Sequence, residues 1–105
     1  MEKKVIKLLL ALECPTHYMG FNCLIIAIME VMKDNTYLNA IIRRLYKRVA
    51  EKTDKTPMQV ERVIRHAIEG MDYKKSKLYV ELFKGERPTN AEFIARCAFK
   101  LKSGI

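Results

Sequence analysis

Five side chains in one short segment are suited to chemistry on a polynucleotide: Gln59, Glu61, Arg62, Arg65 and His66. On a helix at about 100° per residue they share one half of the wheel with Met58 and Glu69. Val60, Val63, Ile64, Ala67, Ile68 and Met71 take the other half. The apolar half must pack on a core, so the polar half is offered to solvent or to a partner. Arginine pairs with guanine O6 and N7, glutamine with the adenine edge, and glutamate accepts from cytosine. Lysine, the ordinary solubility residue, is absent from this face. The plain alternative is a solvated charged face with an i,i+4 pair between Glu61 and Arg65. That pair could equally hold Arg65 in position for DNA.

The residues just upstream would position this helix. Thr56 can cap it, Pro57 suits its first turn, and Gln59 sits where a capping-box partner belongs. Ala50, Asp54, Val60 and Val63 fit a helix-turn-helix frame over about residues 45–70. Ala50 allows close approach, Asp54 tolerates a left-handed turn, and the two valines lock the helices. From Ile41 to His66, eight basic residues (Arg43, Arg44, Lys47, Arg48, Lys52, Lys55, Arg62, Arg65) face three acidic ones (Glu51, Asp54, Glu61), leaving +5. Phosphate positioning around a reading helix needs such a cluster. Lys52, Lys55 and Thr56 therefore join Met58, Gln59, Glu61, Arg62, Arg65 and His66 as expected DNA contacts.

Other chemistries find less support. His66 has no serine or cysteine nucleophile at a motif-like spacing, and it lies on a convex helix rather than in a pocket. Cys14, His17 and Cys23 match no common zinc spacing and lack a fourth ligand, so core and turn roles are expected. The five tyrosines are too scattered for a base-stacking platform, and Tyr37 and Tyr46 are expected at the core edge. We therefore expect no enzyme activity, no metal and no cofactor.

The whole chain has 105 residues and a net charge of +8, which attracts polyanions. Its length suits one domain, 1–105, with one modest core. Three cysteines at irregular spacing speak against a disulfide framework and for a reducing cytoplasm. Lys3 to Leu12 is interrupted by Lys7 and lacks a small-residue cleavage site, unlike a signal peptide. Leu24 to Met32 is too short to span a bilayer, so no membrane partner is expected.

The apolar periodicity predicts an all-α bundle of about six helices. Glu2 to Cys14 is the first, ended by Pro15. Phe21 to Asp34 is apolar nearly all round, hence central, with Asn35 as a left-handed cap. Tyr37 to Thr53 carries Leu38, Ile41, Ile42, Leu45 and Val49 on one stripe, as one bent helix or two short ones. The reading helix runs to about Gly70. Lys74 to Phe83 fits a short helix with Leu78, Leu82 and Phe83 inward, since no second strand exists to pair with it. Thr89-Asn90-Ala91-Glu92 is a second capping box, and Phe93, Ile94, Cys97, Ala98 and Leu101 face inward up to Gly104.

Two strings carry a resemblance. Val60-Glu61-Arg62-Val63-Ile64-Arg65-His66-Ala67-Ile68-Glu69 resembles the recognition helix of the stage 0 sporulation protein A family. Arg87-Pro88-Thr89-Asn90-Ala91-Glu92-Phe93-Ile94-Ala95 resembles that family's last helix. Pro15, His17 and Gly20 match an early turn, and Leu45-Tyr46 a pair before the helix-turn-helix. The resemblance implies a six-helix effector domain of the sporulation response regulator. It also implies binding to TGTCGAA-type promoter boxes, often as tandem domains, and transcription regulation through contact with RNA polymerase sigma factor. Glu61 and Arg62 would read base edges, while Arg65 and His66 would touch bases or backbone. Gln59 replaces an arginine, Met58 a small polar residue, and Lys47 a proline, so the preceding helix is expected to run on unbroken. The 70–87 stretch is shorter than in the family. No receiver domain accompanies these residues, so phosphorylation control is not carried over; an excised effector domain and a stand-alone relative are both expected readings, with the Met1-Glu2-Lys3 start leaning to the second. A competing expectation is an interaction module that occupies sigma factor or the full-length regulator without reading DNA.

Overall fold

A computed structural model describes residues 1–104. Six α-helices carry the fold: α1 (Glu2–Ala11), α2 (Met19–Lys33), α3 (Lys47–Thr53), α4 (Pro57–Glu69), α5 (Lys77–Phe83) and α6 (Asn90–Ser103). Two 3-10 turns (Asn35–Asn39, Tyr73–Lys75) and a π-helical segment (Ile41–Tyr46) fill the joints. No strand occurs among the described residues, as the absence of a pairing partner led us to expect.

The central helix is α2. Cys23, Leu24, Ile25, Ala27, Ile28, Val31 and Met32 are all buried along it, each large side chain contributing roughly 1.5–3 kcal/mol. Its entry is set by Gly20. A Cβ there would press on the Val63 carbonyl and lie 2.7 Å from the Ala67 Cβ, so α2 and α4 meet backbone to backbone. The core continues through Ile64, Ala67 and Ile68 of α4 and Phe93, Ile94, Cys97 and Ala98 of α6.

Several boundaries differ from the sequence expectation. Helix α1 stops at Ala11, not Cys14, because Glu13 turns left-handed at φ 61°. The Glu13 and Cys14 amides then close back on the Leu10 and Leu9 carbonyls, each at 3.0 Å. Helix α2 starts at Met19. It ends in an extended Asp34, whose carboxylate accepts from the Thr36 amide at 3.0 Å. Asn35 opens a 3-10 turn instead of providing the left-handed cap.

The Tyr37–Thr53 region breaks at Ala40, then runs without interruption from Ile41 to Thr53. Its first part has π geometry, with the Leu45 amide reaching the Ala40 carbonyl at 3.4 Å. The wider turn moves Ile42 off the apolar stripe, so Ile42 is 70% exposed while Leu45, Tyr46, Val49 and Ala50 are buried. Lys47 continues the helix, as expected where a proline would have withheld an amide donor.

In the 70–87 stretch two aromatics are buried, Phe83 as expected and Tyr79, which the expected inward set omitted. Tyr79 packs on Phe83 at 5.0 Å, and Phe83 stacks on Phe93 at 5.2 Å. Leu78 and Leu82 are half-buried. Ser76 starts α5: its hydroxyl donates to the Ala11 carbonyl at 2.6 Å and accepts from the Tyr79 amide at 3.1 Å.

Candidate nucleic-acid interface

Helices α3 and α4 are joined by the turn the frame requires. Asp54 is left-handed at φ 56° and ψ 43°, and the Lys55 amide returns to the Ala50 carbonyl at 3.2 Å. Ala50 and Val60 are buried and Val63 is half-buried. The start of α4 is fixed by a reciprocal capping box. The Gln59 amide donates to Thr56 Oγ1 at 3.2 Å, and the Thr56 amide donates to Gln59 Oε1 at 2.9 Å. Both side chains therefore already have structural partners. Gln59 keeps its NH2 free, while its oxygen already accepts from the Thr56 amide.

The exposed arc of α4 runs through Met58, Gln59, Arg62, Arg65, His66 and Glu69, with Arg62 near its middle. Met58 is 84% exposed. Arg62 has no hydrogen-bond or ion-pair partner among the described residues. His66 faces a shallow groove shared with Tyr18, Met19, Gly20 and Val63.

Glu61 sits at the flank of this arc, half-buried, and its Oε2 accepts from Arg65 Nε at 3.1 Å. The guanidinium of Arg65 is held charged by that hydrogen bond and by the nearby carboxylate charge. A third residue joins them. Asn90, from the start of α6, donates through its amide nitrogen to the Tyr46 hydroxyl at 3.0 Å and to the Glu61 carbonyl at 3.1 Å.

The basic cluster is less free than its composition suggested. Arg44 lies over the Tyr37 ring at 4.7 Å and donates to Thr36 Oγ1 at 3.0 Å. Arg48 Nε and Lys52 Nζ both reach Glu30 Oε1, at 3.1 and 3.2 Å. With Arg65 on Glu61, half of the eight cations have intramolecular partners. Arg43, Lys47, Lys55 and Arg62 have none among the described residues. Lys55 is half-buried, close enough to Cys23 for its charge to oppose the rise that burial imposes on that thiol.

Glu30 is the residue that sequence reasoning missed. It is buried at 4% exposure on α2 and anchors two cations of α3. Burial pushes its carboxyl up, but hydrogen bonds from Arg48 and Lys52 outweigh this and hold it below the ordinary carboxylate range. One signal was available: a lone acid in an apolar helix requires cations nearby, and Arg48 and Lys52 are an i,i+4 pair.

The residues considered for metal do not assemble. Cys14 and Cys23 are buried thiols, Cys14 pushed up to about 12 by burial. His17 is exposed and packs edge-on against Tyr18 at 4.8 Å. Among the described residues no group of three potential ligands converges. No helix there is long and apolar enough to cross a membrane.

The family model described as Sporulation initiation factor Spo0A C terminal matches residues 5–101. The match takes in the central helix, the α3–α4 unit and nearly all of α6. That family comprises DNA-binding effector domains of the sporulation response regulator, which act in transcription regulation. By its sequence match and its six-helix architecture, this chain belongs to the Spo0A C-terminal domain family.

Proposed function

We propose that residues 1–105 act as one domain that reads duplex DNA sequence-specifically by laying α4 in the major groove. The observation carrying this reading is the exposed arc of α4, centred on a partnerless Arg62 and flanked by Arg65 and His66. Arg62 would take a guanine edge, and Arg65, presented by Glu61, a neighbouring base or phosphate. His66 and Met58 would complete the groove contact. Lys55, with Arg43 and Lys47, would neutralise phosphates. Lys52 and Thr56 would act mainly by holding the unit together, Gln59 by capping with its NH2 left for one hydrogen bond. By its resemblance to the family, the target is a TGTCGAA-like box in cytoplasmic DNA. Tandem binding and contact with RNA polymerase sigma factor belong to the same proposal.

A second reading is a protein-interaction module that occupies sigma factor or the full-length regulator. It draws on two large apolar side chains left outside, Ile42 at 70% and Phe99 at 74% exposure.

Titration of a box duplex and a scrambled duplex at two salt concentrations separates the two. A reader prefers the box at both salts, with affinity falling steeply as salt rises. Equal, weak binding to both duplexes would exclude the first reading and favour the second.

A further inference from the structure

Asn90 makes contacts that its place at the start of α6 does not require. That helix is already capped by the reciprocal Thr89–Glu92 box. The Asn90 amide nitrogen nonetheless serves the Tyr46 hydroxyl at 3.0 Å and the Glu61 carbonyl at 3.1 Å, and lies 3.5 Å from Glu61 Oε2. Oε2 is the same oxygen that accepts from Arg65 Nε. One amide thus ties the π-helical segment, α4 and α6 together directly behind the carboxylate that holds Arg65.

We propose that Asn90 is a positioning residue for DNA reading: through Glu61 it fixes where Arg65 is presented. The inference rests on the proposed role of α4 as the DNA-contacting helix. An isolated i,i+4 ion pair on a helix surface is too weak to hold an arginine in one place. Glu61 differs from such a residue because it is half-buried and its backbone and carboxylate both face Asn90. The amide has two hydrogens for three acceptors. The two shorter bonds pin Tyr46 and the α4 backbone, and the 3.5 Å contact to Oε2 can only share one of those hydrogens, as a weaker three-centre bond that biases the carboxylate toward Asn90. A guanidinium ordered before binding loses less entropy on meeting a base edge. The arrangement therefore favours discrimination between duplexes rather than general attraction to DNA.

The test uses the whole chain and two variants. Asn90→Asp keeps the shape and places a carboxylate in a first turn, where helices favour one, but replaces the donor with an acceptor facing Glu61. Asn90→Ala removes the donor without adding charge. The Arg65 Nε–Hε signal in the NMR spectrum of the free protein is expected to exchange faster and lose order in both. In the duplex titration, both variants are expected to lower the preference for box over scrambled DNA by roughly three- to tenfold. That loss is expected to vanish in an Arg65→Ala background. An Arg65 signal as ordered in both variants as in the parent would overturn the proposal. So would a loss of preference that persists in full without Arg65, because Asn90 would then act on the fold at large. A parent chain with no preference for the box would instead sink the reading of α4, while the NMR comparison still decides whether Asn90 orders Arg65.

Discussion

The Lys52 ammonium lies 3.2 Å from Glu30 Oε1, the oxygen that also accepts from Arg48. Two cations of α3 thus fasten that helix to α2 before any nucleic acid arrives. They are half-exposed, and their charge is already answered by a buried carboxylate.

Phosphate neutralisation is accordingly expected to fall to partnerless cations. Lys47→Ala should reduce the slope of log affinity against log salt by about 1, with box and scrambled duplexes weakened alike. Lys52→Ala should change that slope less, and should lower the melting temperature instead. Equal slope changes in the two variants would show that the pairing with Glu30 does not persist on DNA.

Arg62→Ala is expected to cost about 1–3 kcal/mol in binding to the preferred duplex and to narrow the gap to a scrambled one. Thermal stability should be nearly unchanged, because Arg62 contributes no internal hydrogen bond or ion pair among the described residues. Discrimination that survives the substitution intact would remove Arg62 from the reading face.

Glu30→Gln tests the anchor through its acid response. The folded carboxyl lies below the ordinary value of 4.5, so its ionised form stabilises the fold above that value. The contribution fades as pH falls through the lowered folded value. At neutral pH the variant should be less stable by roughly 1–3 kcal/mol. The gap should close as the parent is acidified below about pH 4.5, since protonation then removes the same charge. Denaturant melts at neutral and acid pH measure this, and a gap that does not narrow would show that the charge is not what stabilises.

Gly20→Ala should cost about 1–3 kcal/mol or more, because the added Cβ meets the backbone of α4 at Val63, which cannot swing aside. His66 on the exposed arc shares a groove with Gly20 and Val63, so duplex affinity should fall together with the melting temperature. A variant as stable as its parent would mean that α2 and α4 can separate without cost.

What the sequence made legible was local. The capping boxes at Thr56–Gln59 and Thr89–Glu92 are four-residue chemistry and form as expected. Asp54 takes the left-handed turn that the helix-turn-helix frame asks for, a conformation Asp tolerates better than most residues. The arc of α4 follows from one helical period, and the Glu61–Arg65 pair from i,i+4 spacing. What escaped was non-local. Glu30 meets cations 18 and 22 positions away, and Asn90 meets Tyr46 across 44 residues. No periodicity encodes either contact. Ile42 was misplaced because a stripe drawn at the α period fails where the backbone adopts π geometry. Tyr79 was hidden by a segment too short for any period to dominate.

The π-helical segment has a consequence for tolerance to length change. Such a wide turn accommodates one residue more than an ordinary helix over the same rise. Removing one residue between Ile41 and Tyr46 should let the segment relax to normal winding without disturbing Val49 or Ala50. The same excision within α4 would rotate every later side chain by about 100° and turn Arg65 and His66 away from their places. Paired single-residue deletions, scored by folding and by duplex preference, should therefore show a forgiving joint beside an unforgiving rod.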